Sequence, residues 1–178
     1  MRLETERLIL RPFEDSDAPV LCVLRSPEVT YNLLSDTQSE DEAASWVVRA
    51  RESVDQKHGY PMAVTLKESG RLMGVCGLFR LSWEHMHAEL IYWLGKDFWD
   101  KGYMTEAARR MVQFGFEELG LERISVGCFA RNKASARIIE KLGFQFEGLA
   151  RHAYRKDGEF LDELRFGMIR SDYDQSGG

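Results

Sequence analysis

The clearest chemical signal in this chain is the run Trp99-Asp100-Lys101-Gly102-Tyr103-Met104-Thr105. It lies between an apolar stretch, AELIYWL, and a segment with helical periodicity, so it joins a strand end to a helix start. Such a junction presents backbone N–H groups with no partner inside the helix, together with the positive end of the helix dipole. That combination suits a phosphate ligand. The loop lacks Gly-x-x-x-x-Gly-Lys-Ser/Thr and also Gly-x-Gly-x-x-Gly, which leaves both familiar nucleotide loops weakly supported. A lone glycine at a strand–helix junction also serves simply as a turn, and that reading stays open. His58, His85 and His87 have no metal-ligand spacing, so no metal is expected. Cys22, Cys76 and Cys128 are odd in number, scattered and set among apolar residues. They are expected as buried free thiols in a reducing cytoplasm.

The elements that must position this loop belong to one expected domain over residues 1–170, followed by a frayed tail at 171–178. The chain has 178 residues and a formal charge of −5, which argues against nucleic acid as the main ligand and mildly favours a cationic substrate. No apolar run approaches the roughly 20 residues of a membrane span. The opening MRLETERLILRPF is charged from its second residue and has no signal-peptide core.

Residues 7–11 alternate polar and apolar side chains and read as a strand closed by Pro12. Asp15, Ser16 and Asp17 open a helix to about Arg25. Ser39 with Glu42 is a capping box for a helix to about Lys57. Residues 60–66, 72–81 and 87–94 read as a three-stranded meander. A helix follows from about Thr105 to Leu119, with Ala108, Met111, Val112, Gly115 and Leu119 on one face. Residues 123–129 form another strand. Asn132 opens a short helix with Ala134, Ile138 and Leu142 inward and Gly143 after its end. Residues 144–154 and 160–170 make a closing hairpin around a turn at Lys156-Asp157-Gly158-Glu159. The order describes a mixed α/β domain.

With the loop and the Asn132 helix both placed, the chain resembles a GNAT-superfamily N-acetyltransferase, and more narrowly the RimJ/RimL-type branch that acetylates ribosomal proteins. The resemblance covers nearly the whole chain. It rests on LETERLILRPFEDSDA, AELIYWL and FWDKGYMTEA, on Asn132-x-x-Ser135 leading to Lys141-Leu142-Gly143-Phe144, and on Glu147-Gly148. It implies a mostly antiparallel central sheet of about seven strands flanked by about four helices, with a V-shaped gap between the two central strands. It also implies acetyl-CoA as cosubstrate and a primary amine as acceptor. The family's pyrophosphate signature, Gln/Arg-x-x-Gly-x-Gly/Ala, falls on residues 99–104. Gly102 matches. Trp99 and Met104 depart from the general pattern, although the branch accepts both. Asp100 stands where the branch usually has a second glycine and adds a negative charge there.

By resemblance, the backbone of Lys101, Gly102, Tyr103, Met104 and Thr105 holds the diphosphate. Backbone N–H groups near Trp93 and Leu94 meet the acetyl carbonyl, and the pantetheine arm lies in the gap like an added strand. Asn132 contacts the coenzyme arm, caps its helix, or does both. Ser135 protonates the leaving thiolate or is an ordinary first-turn serine. Arg137 and Lys141 reach coenzyme phosphates or stay solvated. Glu89, among apolar neighbours, is a candidate proton acceptor in the acceptor cleft or half of a structural ion pair. Tyr154 is an alternative acid. His152 is expected at the surface or lining substrate, and Cys128 as packing.

The leading expectation is acetyl transfer to a protein N-terminal α-amine, whose reference pKa near ~8 leaves a useful neutral fraction at pH 7. Acetylation of a polyamine, amino acid or antibiotic is the second enzymatic reading. A non-catalytic acyl-CoA-binding module, motivated by Asp100, is the third. By resemblance, the helices at about 16–57 wall the acceptor side, and their carboxylates Asp36, Glu40 and Asp41 either meet a cation or form a solvated helix cap. A homodimer is expected from the resemblance alone.

Overall fold

The computed structural model describes residues 1–35 and 39–175. Its centre is one eight-stranded sheet in the order β1-β2-β3-β4-β5-β6-β8-β7. The strands are β1 (Leu3–Glu4), β2 (Leu8–Arg11), β3 (Tyr60–Leu66), β4 (Leu72–Ser82), β5 (His87–Leu94), β6 (Arg123–Phe129), β7 (Gln145–Lys156) and β8 (Glu159–Ile169). The helices are α1 (Asp17–Leu24), α2 (Pro27–Thr30), α3 (Glu40–Asp55), α4 (Tyr103–Gln113), α5 (Lys133–Lys141) and α6 (Arg170–Gln175). Every strand pair is antiparallel except β5–β6. The expected class holds, with one more strand and two more helices than expected. The additions are the two-residue β1, the single-turn α2 and α6, each too short to leave a periodic signal. The chain end also differs from the expected frayed tail. Residues 170–175 are helical, and Tyr173 is buried, stacked on Phe116 with ring centroids 4.9 Å apart. The remaining tail residues, 176–178, lie outside the described residues.

Two apolar clusters sandwich the sheet. On one face, Met104, Ala107, Ala108, Met111 and Val112 of α4 and Ile139 of α5 pack against Leu78, Leu90, Ile124 and Val126. α4 ends in a wider π-type turn at Phe114–Glu118 rather than continuing regularly to Leu119. Gly115 in that turn lets the helix sit close on the sheet, since a Cβ there would lie 2.8 Å from Ile124 Cδ1 and 3.0 Å from Leu78 Cδ1. On the other face, Leu21 of α1 and Ala43, Val47 and Ala50 of α3 pack on Ala63 and Val75. The capping box of α3 forms as expected: Glu42 N–H donates to Ser39 Oγ, and Ser39 N–H donates to Glu42 Oε2 at 2.8 Å. At the start of α1, Ser16 makes no side-chain cap. Buried Asp17 instead accepts both guanidinium nitrogens of Arg11, at 2.7 and 2.8 Å, and ties that helix to β2.

β5 and β6 are parallel neighbours only at His87↔Arg123, Ala88↔Ile124 and Glu89↔Ser125. Beyond those positions the strands separate. Residues 90–94 and 126–129 then face each other across an open cleft.

Candidate active site

The cleft encloses about 710 Å³. β5 and β6 supply its floor and the loop before α4 one end. α5 supplies one side, and α1 with the segment after it supplies the other. Strand alternation sorts its side chains. Leu90, Tyr92 and Leu94 face α4 and α5, whereas Glu89 and Trp93 face the opposite side of the sheet.

At the loop, Gly102 has φ 78° and is the N-cap of α4. No side chain caps that end, so the first N–H groups of α4 depend on a partner from outside the helix. Asp100 has φ 58°, also left-handed. This explains in backbone terms why glycine suits position 100, and why Asp is among the substitutes that tolerate it. Trp99 donates its indole N–H to the Leu94 carbonyl at 2.8 Å, pinning the loop to the end of β5. A brace reaches the loop from β2: Arg7 donates to the Lys101 carbonyl at 3.0 Å, lies over the Tyr103 ring at 4.5 Å, and pairs with Glu106 at 2.7 Å. Glu106 also accepts from Thr5 Oγ1 at 2.5 Å and from Arg7 N–H at 2.9 Å. Burial raises the Glu106 pKa, but these hydrogen bonds outweigh it and leave the carboxyl below its ordinary value. Asp100, Gly102, Tyr103, Met104 and Thr105 line the cleft. The Lys101 side chain instead turns back to the Asp97 carbonyl at 2.7 Å.

On the α5 side, Asn132 Oδ1 accepts from Ser135 N–H at 3.1 Å, so the capping role of Asn132 is realised, and the residue also lines the cleft. Ser135 Oγ lies 2.9 Å from Tyr92 Oη, and either hydroxyl can donate. Burial pushes the Tyr92 phenol up despite that hydrogen bond. Burial likewise pushes the Cys128 thiol up to about 11, with a hydrogen bond from Ser135 opposing it. Cys128 is therefore a protonated packing thiol at neutral pH. Arg137 and Lys141 also line the cleft, as exposed side chains. The most buried residues of α5 are Ala136 and Ile139, and the expected Ile138 and Leu142 pack against the same core, partly buried. Ala134 is exposed and lines the cleft instead, and Ile138 lines it too, so part of the apolar stripe faces the cavity.

On the opposite face, Glu89 pairs with Arg80 at 2.7 Å. Tyr154 donates its phenol proton to Glu163 Oε1 at 2.9 Å, and Arg165 Nε donates to Glu163 Oε2 at 2.8 Å. Burial, then the hydrogen bond to Glu163, pushes the Tyr154 phenol up, and the charge of Glu89 adds to this. The wall contains Leu21, Arg25, Leu33, Ser35 and Trp46. Of the two readings of Glu40 and Asp41, the structure has the solvated helix cap, since neither lines the cleft. They are exposed residues in the first turn of α3, where acids complement the helix dipole. Asp36 lies outside the described residues. His152 stacks on Phe160 at 4.9 Å, in a smaller recess beside the main cleft.

Sequence reasoning missed Tyr92, Arg7, Glu106 and Glu163. Tyr92, Arg7 and Glu106 act through partners distant in sequence, for which the chain carries no local mark, and Glu163 is set by its strand neighbours Tyr154 and Arg165 and by Gly127 on β6. Among the described residues no group of three or more His, Cys, Asp or Glu is placed to hold a metal. No helix there is long and apolar enough to cross a membrane.

A family model described as an acetyltransferase (GNAT) domain matches residues 7–145. The uncharacterized N-acetyltransferase p20 of Bacillus licheniformis is 32% identical over 173 residues, covering 96% of this chain and 97% of p20. The crystal structure of a probable acetyltransferase superposes with a TM-score of 0.90 at 26% identity, covering 97% of this chain and 98% of the other. A protein from Vibrio cholerae provisionally named a ribosomal-protein-serine acetyltransferase superposes with a TM-score of 0.82 at 26% identity, covering 95% and 97%. With this cleft and these relatives together, the chain belongs to the GNAT family of N-acetyltransferases.

Proposed function

We propose that this enzyme acetylates the α-amine of a protein N-terminus, with acetyl-CoA as donor. The observation that carries the reading is the split between β5 and β6, which opens on Ser135 at one face of the sheet and on Glu89, Tyr154 and Glu163 at the other. A donor and an amine entering from opposite faces meet in that gap. The loop fits the donor: two left-handed residues and an uncapped helix start leave N–H groups free for a diphosphate, and the gap leaves strand backbone free for an extended arm.

When bound, acetyl-CoA supplies an activated acetyl thioester. The chain then has three tasks. Residues 101–105 hold the phosphates, with Arg137 beside them, and the backbone at Trp93 and Leu94 orients the acyl group. Glu89 receives the proton shed by the amine, and Arg80 keeps its carboxylate in place. Ser135, hydrogen-bonded to Tyr92 and oriented by the Asn132 cap, gives a proton to the departing sulfur. An α-amine suits this site, since a single carboxylate is asked to deprotonate a group of reference pKa near ~8 rather than ~10.4. The Vibrio cholerae likeness supports the same acceptor class. We assign the reaction to the cytoplasm on the three scattered free thiols, and a homodimer goes with the family resemblance.

The test is acetyl transfer from acetyl-CoA to a pooled panel of peptides with varied N-termini, polyamines, amino acids and aminoglycosides, read by mass spectrometry. A product on a peptide N-terminus is expected. A product on a small amine alone keeps the chemistry and removes the protein acceptor.

A further inference from the structure

α1 and α3 pack on the β3–β4 part of the sheet, away from the same face of β6, β8 and β7. On that face the carboxylate of Glu163 lies over Gly127 of β6. Its Oε1 sits 2.6 Å from where a Cβ on residue 127 would be, so only glycine at position 127 leaves room for it. Glu163 itself is 9% exposed, yet its side chain lines the cleft. Its two oxygens have different partners: Oε2 is ion-paired with Arg165, and Oε1 takes the Tyr154 proton.

The direction of that last bond matters. A phenol has one proton and two lone pairs. With the proton committed to an ion-paired carboxylate, the Tyr154 oxygen turns lone pairs toward the cleft. It is then arranged to accept a hydrogen bond there and badly arranged to give a proton away. Its phenol is also made a weaker acid by burial and by the anion beside it. The other hydroxyl pair, Tyr92 with Ser135, is on the helix-covered face of the sheet. The two hydroxyl systems therefore address opposite reactants.

We propose that Tyr154 and Glu163 form the dock for the acceptor ammonium, with the phenol oxygen accepting one of its N–H bonds and Glu163 supplying the negative charge behind it. Tyr154 is thus a substrate-binding residue and not the proton donor to sulfur, and Gly127 and Glu163 are its positioning residues. This rests on the amine-acetylating reading above. It adds that the acceptor enters as a cation held at a defined point before Glu89 takes its proton.

The experiment is steady-state kinetics on the amine identified by the acceptor panel, with acetyl-CoA affinity measured separately by calorimetry. The variants are Tyr154→Phe, Glu163→Gln, Glu163→Asp and Gly127→Ala. Glu163→Gln keeps the shape, removes the charge and allows an amide N–H to reverse the bond to Tyr154. In Gly127→Ala the added methyl meets the tip of a flexible side chain, so the carboxylate moves while the fold stays. The proposal expects the acceptor KM to rise about tenfold or more in Tyr154→Phe and Glu163→Gln, the order expected for one charge-assisted hydrogen bond. The rise should be smaller in Gly127→Ala, with partial recovery in Glu163→Asp. It also expects kcat and the acetyl-CoA Kd to stay within about threefold, since neither reports ammonium docking. A large fall in kcat with acceptor KM unchanged in Tyr154→Phe would make Tyr154 the proton donor and overturn the proposal. Unchanged kinetics in all four variants would overturn it as well. A wild-type protein that binds acetyl-CoA but acetylates no amine removes the functional reading, and the dock falls with it.

Discussion

The two ends of the cleft are made of different material. The proposed donor end is backbone: a left-handed pair of residues, the open start of α4, and strand segments unpaired on the side that faces the gap. The proposed acceptor end is side chain: Glu89 on Arg80, and Tyr154 on Glu163 on Arg165. A backbone site depends on φ/ψ and on bracing, so it keeps its shape while Trp99 and Met104 depart from the general motif and Asp100 replaces the branch's usual glycine. A side-chain site changes with every substitution, and there one family can change substrates on a constant frame.

Four substitutions probe this contrast. The largest effect is expected from Ser135→Ala, which should lower kcat about 100-fold by the usual yield of a placed proton donor, with acetyl-CoA Kd little changed. Rapid-quench or steady-state rates check it, and an unchanged kcat would move the acid elsewhere. Next, Arg7→Ala removes the brace on Lys101 and Glu106. Acetyl-CoA affinity should fall about tenfold and stability by about 1–3 kcal/mol, read by calorimetry and urea unfolding. If affinity survives intact, the loop does not need its brace.

The third concerns acid. The folded-state pKa of Glu106 is depressed, so its contribution to stability is fully present above the ordinary carboxylate value near ~4.3. That contribution is lost as pH falls through the depressed value. Glu106→Gln should therefore lower Tm at pH 7 and converge on wild type toward acidic pH. Parallel Tm–pH curves would contradict this. The smallest effect is expected from Asp100→Gly, which relieves a left-handed non-glycine residue and removes a negative charge beside the phosphate site. It should tighten acetyl-CoA binding about threefold and raise stability by up to ~1 kcal/mol. Weaker binding would show that Asp100 contributes directly to the ligand.

The scaffold was largely legible in the chain. β5 and β6, at 87–94 and 123–129, fall where their apolar patterns end in turn residues, and Ser39 with Glu42 marks the start of α3. Gly102 was legible as the glycine of a strand–helix junction, and it has φ 78° there. The site was less so, for two physical reasons. First, an apolar helix position reads the same whether it faces core or cavity. Of the α5 positions expected inward, Ile138 and Leu142 do pack on the core beside Ala136 and Ile139, whereas Ala134 is exposed and lines the cleft. Second, hydrogen-bond partners such as Arg7 with Glu106, or Tyr92 with Ser135, are separated by tens of residues and meet only through sheet order. Glu163 has no motif around it, and its place over Gly127 follows only from β8 lying beside β6.

The three residue pairs that join β5 to β6 have a consequence for the behaviour of the whole sheet. They are the only registered strand contacts between its N-terminal and C-terminal halves among the described residues. Past them, two strands run side by side with their peptide groups unpaired across the gap, like two edges facing inward. Exchange of amide hydrogens should be fast at some of residues 90–94 and 126–129 in the free protein and slow sharply once an extended ligand fills the gap, while amides in β3 and β4 barely change. The ligand would then act as a temporary ninth strand, and the enzyme's mechanical continuity would come and go with each turnover.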